Sequence, residues 1–162
     1  VRIGNPPDLG QYTPVNGDFS NTELYGLLYN WWVAFDNRNP CPCGFRPPTQ
    51  LDFQILVNEV GSNSGHLKDT TYWNLPNTGA NNSTGFSALP SGYRLQWNLD
   101  LSTGCYTSTF IGGTSTVFDM WSSTEGNDNR SGLRLGMNHN STVIFIGEHR
   151  KIGGRAIRCI EE

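Results

Sequence analysis

The sequence predicts an α+β domain with two helices early and strands and long loops late. Three observations predict it. Apolar residues recur at helical spacing only before residue 61. The segments that read as strands lie after residue 85, apart from the short run Val1-Arg2-Ile3. Gly, Asn, Ser and Thr crowd the stretches between them. The chain, 1–162, is one domain's worth of sequence and long enough to bury a real core.

Taken in order, the opening residues contain Pro6, Pro7, Gly10, Pro14 and Gly17 and read as the strand at 1–3 followed by an irregular loop. From Glu23 to Phe35 the spacing puts Leu24, Leu27, Leu28 and Trp31 on one stripe and predicts a helix, capped by Asn21 or Thr22. Trp31 and Trp32 could serve a sugar ring, but aromatics at helical spacing are core residues first, and both are read so. Pro40, Pro42, Gly44, Pro47 and Pro48 enforce a loop over 37–48. A second helix starts at Thr49, a good N-cap with Asp52 three residues on; its stripe is Phe53, Leu56, Val57 and Val60, and Gly61 stops it.

Strands are expected at 86–95, 118–123, 132–138, 142–147 and 155–160, the last two joined by a polar turn over 148–154. Within 132–138, Leu133, Leu135 and Met137 alternate inward with Arg134, Gly136 and Asn138 outward, the mark of a half-buried strand. Phe45, Phe86, Leu89, Tyr93 and Trp121 are expected in the core. Long loops are expected at 74–84, 96–116 and 124–131, where function tends to sit.

Composition narrows the function. Only 15% of residues are charged, against roughly 25% in ordinary soluble domains, while Asn, Ser and Thr fill 44 positions. Net charge is −3 and no basic run exceeds Arg150-Lys151, which argues against nucleic acid as a partner. No apolar stretch approaches the roughly 20 residues that span a bilayer, so no membrane insertion is expected. The chain opens on Val1 with no charged and apolar leader, and its numbering reads as that of a trimmed segment.

Of the four cysteines, Cys41, Cys43, Cys105 and Cys159, only the first two are close, which does not make a zinc ribbon, and no metal is expected. An even count in such a chain fits an exported domain with two disulfides in one of three pairings; four buried thiols in a cytosolic protein is the alternative. Asn81, Asn82, Asn129 and Asn140 stand in glycosylation sequons. His66, His139 and His149 are scattered, and nucleophile elbows, phosphate loops and dinucleotide fingerprints are absent, so no cofactor and no catalytic residue are assigned. Asp119 and Glu125 are the least arbitrary carboxylate pair for a glycan-active hydrolase, and the structural reading of both outweighs it.

Several strings carry a resemblance: Val1-Arg2-Ile3-Gly4-Asn5, Tyr25-Gly26-Leu27-Leu28-Tyr29-Asn30-Trp31, Cys41-Pro42-Cys43-Gly44-Phe45-Arg46-Pro47-Pro48-Thr49, Gly85-Phe86-Ser87-Ala88-Leu89-Pro90-Ser91-Gly92-Tyr93-Arg94, Trp121-Ser122-Ser123-Thr124-Glu125 and Ile157-Arg158-Cys159. Together they resemble the Fibrobacter succinogenes major paralogous domain, a family of exported bacterial surface modules. The family is similar in turn to the C-type lectin fold shared with formylglycine-generating enzymes and with the variable proteins of diversity-generating retroelements. The resemblance implies a C-type lectin-like domain with twisted antiparallel strands. It pairs Cys41 with Cys159, a closure that stabilises by roughly 4 to 5 kcal/mol in the chain-entropy model, and leaves Cys43 for Cys105. The calcium-dependent sugar motifs of animal lectins are missing, since Trp73-Asn74-Leu75 and Trp97-Asn98-Leu99 lack the acid.

The resulting expectation is a non-catalytic recognition module, extracellular or on the bacterial cell surface, that binds carbohydrate or else protein on its long-loop face. The alternatives are a structural or adhesive module, a hydrolase, and a retroelement-diversified binding protein. Trp97 and Tyr106 are the candidate stacking faces, and Glu125, Asn129, Arg134 and Asn138 the candidate donors and acceptors.

Overall fold

The computed structural model describes residues 10–100, 105–110 and 113–162, and for 96–100 and 105–110 it describes the backbone alone. The strand expected at 1–3 lies outside these residues. The architecture is mixed α+β, with short helices before residue 60 and antiparallel strands after residue 93.

A strand, β1 (Tyr12–Pro14), forms inside the stretch read as loop. The helix expected over 23–35 is divided into α1 (Thr22–Tyr25), β2 (Leu27–Tyr29) and α2 (Trp31–Phe35). Gly26 adopts φ 70°, a conformation that glycine takes without steric cost and that ends α1. β2 is then claimed by two ladders: it pairs antiparallel with β1, and Tyr29 exchanges backbone bonds with Arg155. Leu28 and Trp31 are nevertheless buried, while Leu24 is exposed.

β3 (Phe45–Arg46) precedes α3 (Gln50–Glu59), which forms as its sequence indicates. Thr49 Oγ1 accepts from the Asp52 N–H and the Asp52 carboxylate accepts from the Thr49 N–H at 2.7 Å, a reciprocal cap. Arg46 donates to both Asp52 oxygens, at 2.7 and 3.1 Å, and holds that carboxyl well below the usual carboxylate range. Phe53 and Val60 are buried, and Leu56 and Val57 pack beside them. Phe45 is exposed rather than in the core, because β3 is a two-residue edge.

The expected strand at 86–95 begins only with β4 (Arg94–Asp100), since Gly92 at φ 70° and Pro90 interrupt it. Phe86, Leu89 and Tyr93 are accordingly half-buried, and Ala88 is the segment's apolar residue in the main core. The stretch 96–116, read as a loop, contains the antiparallel pair of β4 with β5 (Cys105–Phe110), in register Trp97↔Ser108 and Leu99↔Tyr106. The period-two run Leu95, Trp97, Leu99 is the signal that identifies β4 in the sequence.

The central sheet is β6 (Val117–Glu125), β7 (Ser131–Asn138) and β8 (Ile144–Arg150), in that order and antiparallel. Its register separates two faces. Phe118↔Met137, Met120↔Leu135, Leu135↔Ile146 and Met137↔Ile144 place apolar residues on one face, packed with Phe53, Val60, Leu67, Trp73 and Ala88 as the main core. Asp119↔Gly136, Trp121↔Arg134, Gly136↔Phe145 and Gly132↔His149 fall on the other. Along the free edge of β6 lies the segment 154–156, joined by backbone bonds to Tyr29, to Arg94 and to β6 at Asp119 and Trp121.

β9 (Ile160–Glu161) pairs with β3, and next to it the Cys41–Cys159 disulfide ties the segment after α2 to the chain's end, Cα to Cα 5.8 Å. Cys43 stands as a free, exposed thiol in the turn before β3 and not in the expected bridge to Cys105, whose side chain lies outside the described residues. Among the described residues, no helix is long and apolar enough to cross a membrane.

Candidate functional site

The second face of the central sheet carries a small apolar cluster, Trp31, Ala34 and Trp121, and beside it a polar part whose chemistry centres on Asp119. Trp121, on the same face, is fully buried and donates its indole N–H to the Tyr29 carbonyl at 2.8 Å. Arg155 reaches in from the segment beside β6, with its guanidinium 4.4 Å from the Trp121 ring and 5.5 Å from that of Tyr93. Its Nε donates to Asp119 Oδ2 at 3.2 Å, while Arg134 Nη1 donates to Oδ1 from β7. One buried carboxylate thus holds two guanidiniums. Burial pushes the Asp119 carboxyl upward and the two arginines pull it back. Burial also lowers Arg155, to about 10, which leaves it charged at neutral pH.

A cavity of about 280 Å³ opens on this cluster. Its lining includes Tyr93, Asp119, Arg134, Asn138, His149 and Arg155, with Phe145 on the exposed side. Glycines make the space: a Cβ on Gly136 would collide with Asp119 and Arg134, and one on Gly153 would lie 2.5 Å from Arg155 Nη1. His149 is lowered to about 4 by burial first and by the charges of Arg155 and Arg134 next, so its ring is neutral at pH 7. Among the described residues, three buried atoms here have no hydrogen-bond partner: Arg155 Nη1, Arg134 Nε and His149 Nδ1.

Of the residues singled out in the sequence, Arg134 and Asn138 line this cavity. Glu125 and Asn129 are gathered elsewhere, around Lys151. That lysine is buried, pairs with Glu125, donates to the Asn129 carbonyl at 3.0 Å and sits 4.2 Å from the centroid of the Trp31 ring. The Trp97 and Tyr106 side chains lie outside the described residues; their backbones belong to β4 and β5. Asp119 and Glu125 lie opposite Gly136 and Gly132, four residues or about 13 Å apart along β7, and their carboxylates answer different cations, Arg134 and Arg155 for one and Lys151 for the other.

Arg155, His149 and Tyr93 were not legible as site residues. The available signal was glycine: Gly132 and Gly136 alternate on one face of β7, and glycine inside a strand marks a close approach. Gly132 gives way to the Trp31 indole and Gly136 to the ionic cluster.

What fold and site define is an α+β domain that encloses an arginine-rich cavity on one face of a three-stranded sheet. The chain belongs to the Fibrobacter succinogenes major domain family, whose model it matches over residues 7–161. No curated protein and no solved structure matches it.

Proposed function

We propose that this chain is a non-catalytic recognition module of a bacterial surface or secreted protein, built on a C-type lectin-like scaffold, with carbohydrate as its favoured ligand. The cavity over the outward side of β7 carries this reading. It combines aromatic surface from Tyr93 and Phe145 with donors and acceptors from Arg134, Asn138 and His149, the mixture that a sugar ring requires. The Cys41–Cys159 disulfide supports export, since such bonds persist in oxidising compartments. A glycan array probed with the whole chain, followed by product analysis of each hit, tests it. Binding without turnover is the expected result; turnover would make the domain a hydrolase, and silence across the array would leave a structural or protein-binding module.

A further inference from the structure

Resting on the recognition reading, we infer that the cavity takes a carboxylate, and that its ligand is a uronic acid unit of a glycan. Charge comes first. Among the described residues that line the cavity, Asp119 is the one acid, set against Arg134 and Arg155, while His149 is neutral. One positive charge is therefore left over in a half-closed space, inside a chain whose net charge is −3. A buried charge is costly unless an opposite charge meets it.

Hydrogen bonding points the same way. Arg155 is 1% exposed and lines the cavity, yet its Nη1 has no hydrogen-bond partner among the described residues. Nε of that residue is already used by Asp119, and its Nη1 lies beside Gly153. Arg134 Nε is likewise buried without a partner. Donors without acceptors, beside a neutral imidazole, fit an oxyanion; a cation would meet the same two positive charges.

Size and shape choose the source of that carboxylate. About 280 Å³ is at the small end of ligand cavities and suits one six-membered ring, not a run of peptide side chains. Tyr93 and Phe145 offer ring faces, and Asn138 an amide for hydroxyl groups. A uronate has all three counterparts on a single ring.

The test is calorimetric titration of the whole chain with trigalacturonate, with its methyl ester, and with an acetylated triglutamate peptide. The acid is expected to bind at least tenfold more tightly than the ester. Arg134→Gln is expected to bring the acid down to the level of the ester; Arg134 is partly exposed, and Asp119 keeps Arg155 as partner. Should this variant fail to fold by circular dichroism, the acid-to-ester ratio of the natural chain decides alone. Equal affinity for acid and ester would overturn the carboxylate site and leave carbohydrate recognition standing. Binding of triglutamate without trigalacturonate would overturn the uronate assignment and the carbohydrate reading together. Silence toward all three probes, with neutral glycans bound on the array, would overturn the carboxylate inference alone.

Discussion

Lys68 and Arg155 are both fully buried cations, and the protein treats them in opposite ways. The Lys68 ammonium donates to three backbone carbonyls, Thr78 at 2.8 Å, Ser141 at 3.1 Å and Asn138 at 3.2 Å, and lies 5.5 Å from the Trp73 ring. Its three donors are all used, and it staples the irregular segments around 78 and 138–141 together. Arg155, which lines a cavity, has five donors in a planar fork, gives one to Asp119, and keeps Nη1 without a partner among the described residues. A closed donor set is a structural device. An open one beside empty volume is a site.

The difference can be broken first at Asp119. Asp119→Asn leaves two guanidiniums without a countercharge in a buried setting and is expected to cost about 3 to 5 kcal/mol of unfolding free energy, read by urea denaturation. A loss below about 1 kcal/mol would mean that the cluster is solvated. Next comes the closed cation: Lys68→Met strands three carbonyls and should cost about 3 kcal/mol in the same assay, with no change in affinity for trigalacturonate.

Gly136→Ala sharpens the contrast at smaller cost. Its Cβ has to displace Asp119 or Arg134, which is expected to destabilise by about 1 to 3 kcal/mol. Calorimetry should show trigalacturonate binding lost in the same variant; binding retained would place the carboxylate elsewhere.

The smallest effect is a pH dependence. His149 sits at about 4 in the folded chain against an ordinary 6.5, with Arg155, Arg134 and Arg150 around it. The unfolded chain therefore takes up this proton first as pH falls. The stability that His149 contributes is complete above pH 6.5 and is lost progressively toward pH 4. Replacing His149 with Phe should flatten the fall of the thermal midpoint over that window, and an unchanged slope would assign the fall to other groups.

The same contrast separates what the sequence makes legible from what it hides. The α3 cap is written in four consecutive residues, Thr49 to Asp52, and the alternation of β7 in seven, because both are decided by local backbone geometry. The division of the 23–35 helix is not local: Gly26 permits it, but β1 and Arg155 compel it from 15 and 126 residues away, as the pairings Thr13↔Leu28 and Tyr29↔Arg155 show. The Cys41–Cys159 bond was legible only through family resemblance. Site residues fare worst. Asp119 and Arg155 are 36 positions apart, and nothing in either one's neighbours distinguishes a buried guanidinium from a surface one. Lys68 is hidden for the same reason.

The most direct test of the contrast is nitrogen-15 magnetic resonance of the lysine and arginine side chains while D-galacturonate is added to the whole chain. The Arg155 guanidinium signals should shift and saturate with the sugar acid, and the Lys68 ammonium signal should stay in place. An Arg155 resonance that does not respond, or one that moves no more than Lys68, would contradict the division between a closed cation and an open one.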